Sequence, residues 1–360
     1  MTAYKISDAG IVRRVPKSEN APYGIVPADT IPADAPCIVA FGGELTEKPQ
    51  HANAYASVLN KLMIEYNITD IDVYSVTYQF GSRDSKMERA ELFRAAGRKI
   101  STPEHPITRA AHEKQLQEIN QNEPVANYIC KLFNMILRPR FTDENGARLP
   151  TDEVLKRVGK IKFYTHCHGA ATVYQMAIMM HDEMRRMGYL PRDIATIQKN
   201  LLVIQHSPLG PLTNLRFTTL SFSSAEDTMM QNHGNQFAQW IYNNSADIVP
   251  SFFEESNGNI FVAGNLKAAS FQEHDFRGLL KSDEEVWPLT IDGKIIFAAE
   301  RNAIVNGARH SVRGGLLPSV AELVNGDGVD FETLKRNGDF IFNLMLNDLR
   351  QQNPKRGHQK

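Results

Sequence analysis

The stretch from Ile161 to Met187 constrains the fold of this chain more than any other. Ile161-Lys-Phe-Tyr164 is a short apolar run of strand character. Thr165-His166-Cys167-His168-Gly169 is a tight turn. Ala170 to Met187 then carries Val173, Met176, Ala177 and Met180 at helical spacing. A strand that turns sharply into a helix places the turn residue at the carboxyl edge of a sheet. The helix start there offers free N–H groups and the positive end of a dipole. A thiol at that point is presented as a nucleophile, and the N–H of His168 is placed to stabilise an oxyanion. The turn needs small residues two before and two after the nucleophile. Here these are Thr165 and Gly169, followed by Ala170 and Ala171.

The rest of the chain repeats the alternation. Cys37-Ile-Val-Ala-Phe41 is a buried strand stopped by Gly42-Gly43, where the lack of Cβ lets backbone N–H groups approach a ligand closely. Helical spacing over 50–66 and a β-branched run over 70–78 follow. An amphipathic helix covers 124–137, and Thr151 or Asp152 is an N-cap candidate for the next short helix. Leu201-Leu-Val-Ile204 is a strand leading into His206, and a β-ribbon is expected from Leu215 to Phe222. Further strands are expected at Ile260–Val262 and Lys294–Ala298, with helices at Gln236–Tyr242, Pro318–Val324 and Phe340–Leu349. The pattern predicts an α/β fold: a mainly parallel sheet with helices on both faces. Residues 1–36, punctuated by Pro16, Pro22, Pro27, Pro32 and Pro36, read as a polar extended leader. Residues 37–350 are expected to form the domain, with a charged inserted region, helical or mobile, at 81–122, and 351–360 is a basic tail.

Composition narrows the function. Lys and Arg number 40 against 41 Asp and Glu, so global charge does not drive nucleic-acid binding. No apolar run approaches the ~18 residues of a membrane-spanning helix, and no Sec signal peptide is visible. The expectation is a cytoplasmic protein, or one exported by a route that needs no Sec signal. The three cysteines are far apart, which argues against a disulfide framework or a zinc ribbon. Cys37 in its strand and Cys130 on its helix read as packing residues, as does the Met-rich face of the 170–187 helix. No cofactor is called for. A metal-dependent hydrolase using His166, Cys167, His168 and His206 is an alternative, since thiolate and imidazole both suit zinc.

The turn Thr165-His166-Cys167-His168-Gly169-Ala170 resembles the nucleophile elbow of the α/β-hydrolase superfamily, and most nearly the Gly-His-Ser-Leu-Gly-Gly of class 3 lipases. Asp247-Ile248-Val249-Pro250 resembles the segment that carries that family's triad acid. Val39-Ala40-Phe41-Gly42-Gly43 resembles its oxyanion strand and loop. Two positions depart from the pattern: Thr165 stands for the first glycine and Cys167 for the serine. A cysteine at this elbow is also similar to dienelactone hydrolases and polyhydroxyalkanoate synthases. The resemblance implies an α/β-hydrolase type of fold and a Cys167–His–Asp247 triad acting on an ester, thioester or amide. The oxyanion would be held by His168 and by Gly42 or Gly43, and the substrate would be a small-molecule or lipid-like acyl compound. Chain order leaves His310 or His274 as the base, His310 being favoured because it follows the last expected strand. A hydrolase-like scaffold without catalysis, serving as a binding or effector module, is the alternative.

Overall fold

The computed structural model describes residues 9–43, 46, 49–78, 123–167, 169–208, 216–224, 258–263 and 291–334. Eight strands among them form one sheet: Gly10–Arg14 (β1), Ile25–Ala28 (β2), Cys37–Phe41 (β3), Asp72–Thr77 (β4), Ile161–His166 (β5), Leu202–His206 (β6), Thr218–Ser224 (β7) and Gly258–Ala263 (β8). Their order is β2-β1-β4-β3-β5-β6-β7-β8. β1 pairs antiparallel with β2 and β4, whereas β4, β3, β5, β6, β7 and β8 run parallel to one another. The fold is therefore α/β with a mostly parallel sheet.

Seven α-helices among the described residues accompany the sheet: Pro49–Glu65 (α1), Glu123–Ile136 (α2), Thr151–Gly159 (α3), Gly169–Arg186 (α4), Pro191–Lys199 (α5), Ile291–Arg313 (α6) and Val320–Val324 (α7). The central strands are covered on both faces, and every residue of β3, β5 and β6 is buried, the polar Lys162, Thr165, His166, Gln205 and His206 included. The pleat divides them into two cores. Val39, Phe41, Phe163 and Val203 pack with Ile129, Leu132, Met176 and Met180 from α2 and α4. Ile38, Ala40, Tyr164, Ile204 and Phe222 pack with Leu59 of α1, Ala303 of α6 and Leu323 of α7. Each fully buried Phe or Leu contributes roughly 1.5–3 kcal/mol.

Several expectations are corrected. The 1–36 leader is not separate from the domain: β1 and β2 extend the sheet beyond β4, with Ile11 and Val12 buried. Their short, antiparallel, half-polar pattern falls below the signal of a core strand. Lys294–Ala298 is not a strand but part of the long helix α6. Its β-branched run is overridden by the helical recurrence of Ala299, Ala303 and Ala308, which face the sheet. The ribbon expected at Leu215–Phe222 is one strand, β7, lying parallel between β6 and β8. The N-cap of α3 is Pro150; Thr151 is its first residue, and Asp152 lies in the first turn, where a carboxylate complements the helix dipole. Cys130 is exposed rather than packed, while Cys37 is buried. The insertion at 81–122, the helices at 236–242 and 340–349, and the tail at 351–360 lie outside the described residues. No helix among the described residues is long and apolar enough to cross a membrane.

Candidate active site at the turn between β5 and α4

β5 lies between β3 and β6 and delivers Cys167 to the carboxyl edge of the sheet. Cys167 has φ +53°. For a residue with a Cβ that left-handed conformation costs about 1–2 kcal/mol. The turn is held on both sides: the Cys167 N–H donates to the His206 carbonyl at 3.2 Å, and the Ala170 N–H to the Cys167 carbonyl at 3.2 Å. The neighbouring strand β6 ends in a second such residue, Ser207 with φ +43°, also buried. Two adjacent strands thus end in left-handed residues, and strain of this kind collects at functional sites.

The spacing of small residues has a steric cause. A Cβ on Gly169 would stand 2.3 Å from the Phe41 carbonyl oxygen, which belongs to the central strand β3 and has no freedom to withdraw. Two residues before the thiol, Thr165 is fully buried and replaces the expected glycine without breaking β5.

The glycine pair after β3 meets this turn. A Cβ on Gly43 would lie 3.1 Å from Cys167 Cβ, 3.4 Å from its Sγ and 3.6 Å from His166 Nδ1. The absence of a side chain at Gly43 therefore lets the backbone approach the thiol. The Gly43 N–H, an expected oxyanion donor, donates to the Tyr55 hydroxyl at 3.2 Å. That hydroxyl is also hydrogen-bonded to His166 Nδ1 at 2.8 Å. The Gly42 carbonyl accepts from the Tyr78 hydroxyl. Tyr78 stacks on Tyr128 with ring centroids 5.3 Å apart, and Tyr128 bonds Thr172 of α4 at 3.0 Å. Burial, with Tyr128, Tyr55 and Cys167 nearby, pushes the Tyr78 hydroxyl far above the usual tyrosine range, so it stays protonated as a donor.

Below the turn, on the α1 and α6 face, His166 and His206 are register partners with rings 5.7 Å apart. His206 Nδ1 lies 2.9 Å from a Glu300 carboxylate oxygen, and both residues are buried. Burial pushes the Glu300 carboxyl up, against the opposing pull of His206.

His310 is not beside Cys167. Helix α6 runs antiparallel to the strands: Glu300 meets the end of β6, whereas Gly307 packs on Leu202 at its start. His310, ten residues beyond Glu300, is about 15 Å further along the helix axis. Its Nε2 bonds the Leu316 carbonyl at 2.9 Å, and it is close enough to Lys162 for that ammonium to depress its basicity. Lys162 stands about 13 Å down β5 from His166. Lys294–Ala298, expected as the final strand, belongs to helix α6, which carries His310 to the opposite edge of the sheet.

Cys167, Gly42 and Gly43 are thus brought together. Asp247, His274 and His168 lie outside the described residues. Among the described residues no three His, Cys, Asp or Glu side chains are grouped to hold a metal. Of the alternative metal set, His166 is directed to Tyr55 and His206 to Glu300.

Tyr55, Tyr78 and Glu300 are the site residues that the sequence reading passed over. Tyr55 and Glu300 reach their histidines across 111 and 94 residues of chain, a separation with no local signature. Glu300 alone carried a hint, a carboxylate on the helix face shared with Ala299 and Ala303. No family model matches the chain, and no curated protein matches it.

Proposed function

We propose that this protein is a thiol hydrolase or acyltransferase of the α/β-hydrolase type, with Cys167 as nucleophile. The carrying observation is the left-handed Cys167 on the turn from β5 into α4, with Gly43 against its thiol. A mostly parallel sheet, with the nucleophile at its carboxyl edge and a helix starting behind it, supports the elbow arrangement.

In this reading a base takes the thiol proton and the thiolate attacks the carbonyl carbon of an ester, thioester or amide. The oxyanion is held by backbone N–H groups at the helix start, that of His168 first. A second comes from the Gly42-Gly43 loop once a substrate oxygen displaces Tyr55. The acyl group is transferred to sulfur as the leaving group departs with a proton. Water or an acceptor nucleophile then releases it. Asp247 and His274 remain the proposed acid and base. His310 does not serve as the base, because it lies near Lys162 at the opposite edge of the sheet. The substrate class is a small or lipid-like acyl compound.

The engagement of the Gly43 N–H by Tyr55 favours a second reading, a hydrolase-like scaffold without turnover. One experiment separates the two. The protein is incubated with p-nitrophenyl esters and acyl thioesters of graded chain length, and intact mass is followed. The enzyme reading expects turnover and an acyl adduct mapped to Cys167, both absent in Cys167→Ala. No adduct and no turnover from folded protein would reject it in favour of the scaffold.

A further inference from the structure

The carboxyl–imidazole pair of Glu300 and His206 is unexplained by the chemistry above. A carboxylate with no solvent exposure is costly, and an apolar residue in its place commonly leaves a fold as stable or more so. The apolar residues beside it on α6 are of the expected kind: Ala299, Ala303 and Ile304. Stability alone therefore does not account for Glu300. Its position does point to a role. Glu300 meets His206 at the carboxyl end of β6, and the backbone carbonyl of His206 receives the Cys167 N–H.

We infer that Glu300, acting through His206, is a positioning residue that fixes the charge beneath the Cys167 turn. The inference rests on the reading of Cys167 as nucleophile.

A buried carboxylate is costly unless it is paired and hydrogen-bonded, and the contact of Glu300 with His206 Nδ1 at 2.9 Å supplies that pairing. In the ion-paired form the positive end of the pair lies on His206, under the turn, and the negative end on Glu300 of α6. Three described groups face the pair. His166 on β5 stands ring to ring with His206, Tyr164 on β5 lies beside Glu300, and Tyr55 of α1 closes the column at His166 Nδ1. No lysine or arginine is among them. The buried cations Lys162 and Arg140 lie at the other edge of the sheet with Cys37. Glu300 thereby orients a local positive charge toward the place where a thiolate forms.

The test is the pH profile of Cys167 alkylation by iodoacetamide, followed on the full chain by peptide mapping so that Cys37 and Cys130 are read separately. In Glu300→Gln the pH of half-maximal rate moves up, by a fraction of the about one unit expected for losing a lone charge at close range, because both ends of the pair go together. Glu300→Asp returns it toward the wild-type value, which a purely structural loss would not do. His206→Gln, read in parallel, reproduces the shift of Glu300→Gln and serves if that variant does not fold. An unchanged profile in either folded variant overturns the inference while leaving the nucleophile reading intact. Wild-type Cys167 that is never alkylated defeats both.

Discussion

Lys162 offers the sharpest quantitative test of this structure. It sits on central strand β5 with its ammonium fully buried, donating to the Gly159 and Ile161 carbonyls. Burial lowers its pKa from 10.5 to about 7, the nearby Cys37 thiol opposing that drop and Arg140 adding to it. The unfolded chain therefore binds the proton more tightly than the folded one between these two values. Stability rises with pH across that window, and the penalty is fully present below pH 7. A drop of this size corresponds to about 4 kcal/mol of destabilisation at pH 7, of which about 2 kcal/mol is recovered by pH 9. Lys162→Met removes the titrating group while keeping an unbranched side chain. Its expected effect is a gain of up to about 4 kcal/mol at pH 7 and loss of the rise between pH 7 and 9. The assay is urea unfolding at several pH values in that range, read as midpoint and slope. The upper limit matters, because Cys37, whose thiol burial pushes up, acts in the opposite direction above about pH 9. A Lys162→Met protein whose stability rises with pH as steeply as the wild type would refute the reasoning.

Gly169→Ala places a Cβ 2.3 Å from the Phe41 carbonyl oxygen; it should cost about 3 kcal/mol or more, measured as a lowered urea midpoint, and a variant of wild-type stability would remove the steric account of the elbow. His310→Gln should leave Cys167 alkylation at the wild-type rate, since α6 holds His310 at the opposite edge of the sheet. The same variant should also lose less stability below pH 6.5, read from urea midpoints at falling pH. Burial and Lys162 lower the wild-type His310 to about 4, so the unfolded state takes up the proton first as pH falls.

The strand, turn and helix around Cys167 were legible in the sequence because their signal is local. β3 was expected over Cys37–Phe41 and occurs there. β5 and α4 meet at the expected turn because an apolar run, small residues and a long helical period sit within a single short window. The close approach of Gly43 to Cys167 was legible too, since a glycine pair after a buried strand marks such an approach whatever lies opposite. The failures have a common cause. Lys294–Ala298 has strand-like residues, but its conformation was decided by the helix continuing behind it. β1 and β2 became strands because the exposed edge of β4 had ladder groups to satisfy.

The amino-acid sequence by itself determined the α/β alternation, the two-sided burial of the central strands and the placement of a thiol on a tight turn. Each is set by side-chain period or backbone sterics over a few residues. Only the tertiary structure decided what surrounds that thiol. Tyr55 reached His166, Glu300 reached His206, and His310 was carried to the far edge by the direction of one helix packed on the sheet. Those outcomes depend on how distant segments lie across a common core, and no window of sequence contains that geometry.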